Sequence, residues 1–308
     1  MCSDSADARI EAVAFVVNPS SGGGGGDWLY MEIARLLRER GVQIAAFETT
    51  RDRGARPAAE AALRAGFPEI WVIGGDGTIQ QCLEPIVAAG AVLGPIPGGT
   101  SNRLVEVLGL ASDDPVEQAR WMLDQPVHAI DVGACDGGLF TVRAGVGIEA
   151  LAARLTEDDK SGLGNLSYIL AGVKAAHSAR AVTARLSAGD DLLYEGLMLS
   201  AIITNLPFVV PLKVPGIDRA TPTDGLLHVT IIPERPDLRV LWQWLLRQRP
   251  ESAHGAAFYY SGAHYHLTLD QPAEVHLDGE MIGTVRELDL QCRPGALRVR
   301  GLRFGAGT

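Results

Sequence analysis

The 308-residue chain contains no apolar run approaching the roughly 20 residues a helix needs to cross a bilayer, so no transmembrane anchor is expected. It has no excess of cations either: 27 Lys and Arg stand against 37 Asp and Glu, for a net charge of −10. Surfaces that neutralise nucleic-acid phosphates are normally basic, so nucleic acid is excluded as the expected partner. The same balance removes simple electrostatic adhesion to anionic lipid, leaving apolar contact or a local basic patch for any membrane encounter. Cysteine is scarce. Cys2, Cys82, Cys135 and Cys292 are scattered without metal-ligand spacing or the density of a disulfide framework, which fits thiols in a reducing cytoplasm. The opening MCSDSADARI is polar and acidic and lacks the pattern of a signal peptide, so a cytoplasmic location is expected. Repeats of roughly 20 to 50 residues and coiled-coil heptads are also missing.

What is present is ample apolar material. Hydrophobic residues make up 47% of the chain, enough to bury real cores, and the length suits two domains better than one. From Glu11 to about Val132, short apolar runs (EAVAFVV, VQIAAFE, EIWVIG, AVLGPI, VHAIDVG) alternate with amphipathic stretches. That alternation predicts an α/β domain around a mostly parallel sheet. Helices are expected over DWLYMEIARLLRER and RPAAEAALRAG, stopped by Gly41 and Gly66, then from Thr78 to Ala89 and over DPVEQARWMLD. Later segments such as LFTVRAGVG, LLHVTIIP, HYHLTLD, AEVHLDG and ALRVRG read as strands of an antiparallel β domain. Two helical insertions are expected in it, near LGNLSYILAGVKAAH and DLRVLWQWLLRQ. The expected boundaries are 1–132 and 133–308.

Three glycine-bearing loops carry the chemistry. Strand EIWVIG runs into Gly74-Gly75-Asp76-Gly77-Thr78 and then into a helix. Glycines let a backbone approach an anion with its N–H groups turned outward, and a helix start adds a positive dipole end. Asp76 would repel phosphate unless a Mg²⁺ ion lies between them or the carboxylate orients an attacking hydroxyl. A second loop, Pro97-Gly98-Gly99-Thr100-Ser101-Asn102, follows AVLGPI, and a third, Asn18-Pro19-Ser20-Ser21-Gly22, follows AFVV. In a parallel sheet all three leave the carboxyl ends of strands, where open α/β folds bind ligands. Two commoner nucleotide motifs are excluded, because the run Gly22 to Gly26 is followed by Asp27 rather than by the lysine of a P-loop or the last glycine of a dinucleotide fingerprint.

With Asp278-Gly279-Glu280 near the C-terminus, these segments stand in the order found in the diacylglycerol kinase catalytic-domain family, which the chain resembles over nearly its whole length. The resemblance implies an α/β domain followed by a β-sandwich, with ATP in the cleft between them and Mg²⁺ as its companion. It implies that Gly74, Gly75, Asp76, Gly77, Thr78, Ile79 and Gln80 form the main ATP loop together with Gly99, Thr100 and Asn102. Asn18, Ser21 and Gly22 would add a wall, and Thr50 would border the nucleotide. Glu280 takes the place of the base that removes the proton of a lipid hydroxyl, and Asp76 acts beside it. Asp224 and the backbone of Leu226 correspond to a metal site of the second domain. The chain departs from the family pattern at Gln81, Arg103 and Thr221. The expected partner is a lipid alcohol presented at a membrane surface; a homodimer is left open. Two other readings stay beside this one: an NAD kinase-like kinase of a soluble substrate, and a non-catalytic nucleotide or lipid binder.

Outside these motifs, His264, His266 and His276 alternate on predicted strands without a completing ligand and are read as structural. The apolar face of DLRVLWQWLLRQ is read as packing rather than membrane contact.

Overall fold

The computed structural model describes residues 10–21, 25–50, 52–99, 102–147, 181–207, 220–234 and 257–303. Both predicted helical insertions of the β domain lie outside the described residues, as do Gly22 and Thr100. The chain forms two compact units, one of residues 1–130 with 295–308 and the other of residues 131–294.

In the first unit, β1 (Ala12–Val17) pairs in parallel with β2 (Gln43–Glu48) and with β3 (Glu69–Gly74), and β3 pairs in parallel with β4 (Val92–Pro97). Helices α1 (Gly26–Glu39), α2 (Arg56–Arg64), α3 (Asp76–Ala89), α4 (Arg103–Val107) and α5 (Pro115–Met122) fill the connections. Strand parity decides what each face meets. Val13, Phe15, Val17, Trp71 and Ile73 join one core with Leu29, Ile33 and Leu37 of α1 and with Ala119 and Met122 of α5. The other parity, including Ala14, Val16, Ile70 and Val72, is equally buried, and α2 and α3 pack on each other and on these strands. Gly41 and Gly66 take the positive φ expected of helix stops.

The second unit is antiparallel. After the end of β5 (Val127–Cys135) come β6 (Gly138–Phe140), β7 (Arg143–Gly147), β8 (Val182–Ala188), β9 (Asp191–Thr204), β10 (Leu227–Pro233), β11 (Phe258–Gly262), β12 (His264–Leu277) and β13 (Glu280–Arg300). The long strand β9 pairs with β8 through its first half and with β7 and β10 through its second. Strand β12 divides itself likewise between β8 and β7. Sharing one strand between two sets of partners turns the sheet around a core that includes Phe140, Ile203, Val229, Leu267 and Val275.

The compact units divide the chain differently from the expected 133–308 at its far end. Strand β13 continues past Pro294 into the first unit, where Arg298 and Val299 pair in parallel with Val92 and Leu93 of β4. Arg300 then meets Glu69 in a buried two-pronged ion pair, with nitrogen to oxygen distances of 3.0 and 2.6 Å. Its remaining terminal nitrogen donates to the Gln125 carbonyl at 2.8 Å, and the indole of Trp71 donates to Glu69 at 2.8 Å. With each of its three nitrogens donating to an acceptor, the guanidinium fixes this last segment in place.

Candidate functional site

The three loops of the first unit meet. Behind β1, the main-chain N–H of Asn18 donates to the Ile73 carbonyl (3.0 Å), and its side-chain amide donates to the Thr78 hydroxyl (3.2 Å). The other side-chain atom, Oδ1, accepts the Ser20 N–H at 3.1 Å, closing a tight turn that leads to buried Ser21. Behind β4, Gly98 N–H donates to the Gly74 carbonyl at 3.0 Å. Asn102, with φ at 47°, holds its own loop through two bonds with Gly99, at 3.0 and 2.8 Å. The approach of loop to loop is backbone on backbone, since a Cβ on Gly99 would lie 2.5 Å from the Cα of Gly75; within the loop after β3, a Cβ on Gly74 would lie 2.5 Å from the Cβ of Thr78. Only glycine permits that spacing.

Asp76 opens α3 and faces the N-terminus of α4, where its Oδ1 accepts the Leu104 N–H at 3.3 Å. Thr78 and Ile79 both direct their N–H groups to the Gly75 carbonyl. Thr50 lies exposed beyond β2, in a turn closed by the Gly54 N–H on the Thr50 carbonyl at 2.8 Å. The structure therefore gathers Asn18, Ser21, Gly74 to Gln80, Gly99 and Asn102 at one end of the first unit's strands.

In the second unit, Asp278-Gly279-Glu280 forms the turn between β12 and β13, with Glu280 exposed at its far side. The residue that builds this turn is Asp278, whose importance was not read from the sequence. Its Oδ2 accepts the Thr141 N–H (2.6 Å) and hydroxyl (2.8 Å), and its Oδ1 accepts the N–H groups of Val142 and Arg143, both at 2.8 Å. The main chain of Asp278 sits at φ 52° and donates to the Arg143 carbonyl. Gly279 N–H bonds Nδ1 of buried His276 at 3.0 Å. The signal available was position: a carboxylate two residues before the expected base.

Asp224, expected with the Leu226 backbone at a metal site, is held by hydrogen bonds. Its oxygens accept the N–H groups of Thr221 and Leu226, each at 2.9 Å, and its Oδ2 lies 3.1 Å from Nε2 of His228. A carboxylate only accepts, so Nε2 carries a proton, and Nδ1 pairs with the hydroxyl of Tyr259 at 2.6 Å. Among the described residues no group of three or more His, Cys, Asp or Glu side chains could hold a metal ion. Three N–H donors therefore meet the Asp224 carboxylate, and no step is derived through a cation at Asp224 and Leu226. Asp76 is different in kind: Mg²⁺ is commonly held by one or two carboxylates plus substrate phosphates, and one Asp beside a glycine loop fits the protein's share of that donor set.

Burial pushes the thiols of Cys82 and Cys292 up to about 12, the latter helped by the charges of Asp131 and Asp224. Neither is a nucleophile near neutral pH.

A family model for the diacylglycerol kinase catalytic domain matches residues 12–135, and one for a YegS C-terminal NAD kinase beta sandwich-like domain matches residues 142–301. A probable lipid kinase YegS-like protein of Pseudomonas aeruginosa (strain UCBPP-PA14) is 33% identical over 272 residues, 85% of this chain and 86% of that protein. A diacylglycerol kinase of Bacillus subtilis (strain 168) is 24% identical over 282 residues, 89% of this chain and 91% of that one. Among solved structures, a diacylglycerol kinase of Bacillus anthracis (strain Sterne) superposes with a TM-score of 0.70 at 16% identity, over 96% of this chain and 98% of that chain. An NAD kinase of Archaeoglobus fulgidus, solved with ATP, gives a TM-score of 0.50 at 12% identity, over 95% and 94%. At those identities the two structures speak for the fold alone. Among the described residues no helix is long and apolar enough to cross a membrane.

Proposed function

Because the chain belongs to the diacylglycerol kinase catalytic-domain family, we propose that it transfers the γ-phosphoryl group of Mg-ATP to the hydroxyl of a diacylglycerol-like or sphingoid lipid alcohol. The observation that carries this reading is the meeting of the loops after β1, β3 and β4 around Asp76, with glycine backbones packed too closely for side chains. The first unit binds the nucleotide, through Asn18, Ser21, Gly74 to Gln80, Gly99 and Asn102, with Thr50 at its border and Gly22 and Thr100 as further contacts. The second unit supplies Glu280 and the lipid site.

Phosphoryl transfer asks a protein mainly for positioning and for charge stabilisation. Main-chain N–H groups of the glycine loops meet the phosphate oxygens, and the first turn of α3 adds its dipole. Asp76 would hold Mg²⁺, which when bound would neutralise charge on the phosphates. Glu280 accepts the proton of the lipid hydroxyl as that oxygen bonds to the γ-phosphorus; the bond from phosphorus to the bridging oxygen breaks, and ADP leaves with the electron pair. Asp278 holds the turn that presents Glu280. The reaction is placed in the cytoplasm, at the membrane surface where the lipid is exposed.

Glu280→Gln and Asp76→Asn test the assignment of roles. Loss of a general base lowers kcat by about 100- to 10,000-fold, so Glu280→Gln is expected to bind ATP normally and turn over that much more slowly. Asp76→Asn is expected to abolish turnover with unchanged thermal unfolding. Wild-type rates in either variant would overturn the role given to that residue.

A further inference from the structure

Gln81 stands in α3 directly after the glycine loop, where the chain departs from the family's usual residue. Its side chain does not reach toward the loop. Oε1 accepts the main-chain N–H of Ala55 at 2.6 Å. Ala55 is the N-cap of α2, and no side chain caps that helix from within its own segment. A second helix thus supplies the acceptor that the N-cap N–H would find in a capping box. Two residues of the next turn hold the same segment: Cys82 Sγ donates to the Ala55 carbonyl at 3.9 Å, and Glu84 forms an ion pair with Arg56.

The tether also dictates the turn beside it. Gly54 has φ at 67°, and a Cβ there would collide with Gln81 Oε1. Gly54 in turn closes the bend by donating to the Thr50 carbonyl at 2.8 Å. One amide oxygen therefore connects the helix that begins with Asp76 and Thr78 to the turn that carries Thr50.

We propose that Gln81 is a positioning residue for the nucleotide: it fixes the Thr50 turn against α3, so that this wall of the ATP site stands at a set distance from the glycine loop. The inference rests on the kinase reading above. The contact needs an acceptor oxygen and no charge, so glutamate in its place should preserve it and alanine should not. Because the turn contacts ground state and transition state alike, its loss weakens ATP binding without slowing the chemical step.

The test compares wild type, Gln81→Ala and Gln81→Glu for kcat, KM for ATP, and direct binding of a non-hydrolysable ATP analogue, with thermal unfolding alongside. For Gln81→Ala the expected result is a rise in KM and in the analogue's Kd on the order of fivefold, the size of one hydrogen bond, with kcat within about twofold. Gln81→Glu should return both constants to near the wild-type values. A lowered melting temperature with unchanged nucleotide constants would make Gln81 merely structural and overturn the proposal. So would a Gln81→Glu variant that binds as weakly as Gln81→Ala. Wild type that fails to bind the analogue would instead overturn the kinase reading, and this inference with it.

Discussion

Replacing Asp278 by asparagine removes a charge from a site where each carboxylate oxygen accepts two donors, and the size of the effect follows from that geometry. If the new amide nitrogen takes the place of Oδ1, it faces the N–H groups of Val142 and Arg143 and both bonds are lost. If it takes the place of Oδ2, it faces the Thr141 N–H but can donate to the Thr141 hydroxyl, which turns to accept. The second arrangement is cheaper. It leaves one main-chain N–H without an acceptor at Thr141, which is 3% exposed. A stranded buried donor costs about 1 to 3 kcal/mol, and the surviving bonds lose their charge assistance, so a loss of about 2 to 4 kcal/mol is expected. Backbone strain does not confuse the comparison, because asparagine adopts the φ of 52° at least as readily as aspartate. Urea unfolding of the two proteins measures the stability difference, and turnover should fall with it because Glu280 is two residues away. A variant within about 0.5 kcal/mol of wild type, the range of an ordinary surface change, would refute the view that Asp278 builds the turn.

Two further outcomes follow from the buried groups. Glu69→Gln leaves the Arg300 guanidinium buried without its counter-charge, and urea unfolding is expected to show a loss of about 3 to 5 kcal/mol. Cys82 keeps its proton in the folded chain up to about pH 12, whereas the unfolded thiol releases it near its ordinary value of 9.0. The stability it contributes is therefore complete below pH 9 and is lost as pH rises toward 12. Between those limits wild type should lose up to about 1.4 kcal/mol per pH step more than Cys82→Ala, as read by urea titrations from pH 8 to 11. Equal slopes would contradict it.

Much of the first unit was legible because its signals are local. The apolar runs became β1 to β4, and Gly41 and Gly66 stopped their helices where a residue with positive φ was required. The glycine loops were legible for the same reason, since close approach leaves a mark in the residue type. The second unit hides its decisions in distant pairs. LFTVRAGVG reads as one strand, yet it divides into β6 and β7 because the N–H groups of Thr141 to Arg143 turn to Asp278, over 130 positions away. HYHLTLD and AEVHLDG read as two strands and form one, with the break absorbed as a register shift between Thr268 and Ala273. ALRVRG likewise reads as a strand of its own and is the last part of the long strand β13, whose end belongs to the first unit because Arg300 finds Glu69 there. At the candidate site, the glycines and Asp76 could be named from sequence, but the tether from Gln81 to Ala55 spans two helices and could not.

Phosphorylation of a lipid alcohol by this chain is measured most directly by following the label from γ-labelled ATP. The protein is incubated with Mg²⁺ and, separately, with vesicles carrying diacylglycerol, a sphingoid base or other lipid alcohols, and with NAD. Label that passes into the organic phase as a phosphorylated lipid, and that disappears with Asp76→Asn, is the predicted result. Label recovered on NAD, or ATP bound with no transfer to any acceptor, would contradict it.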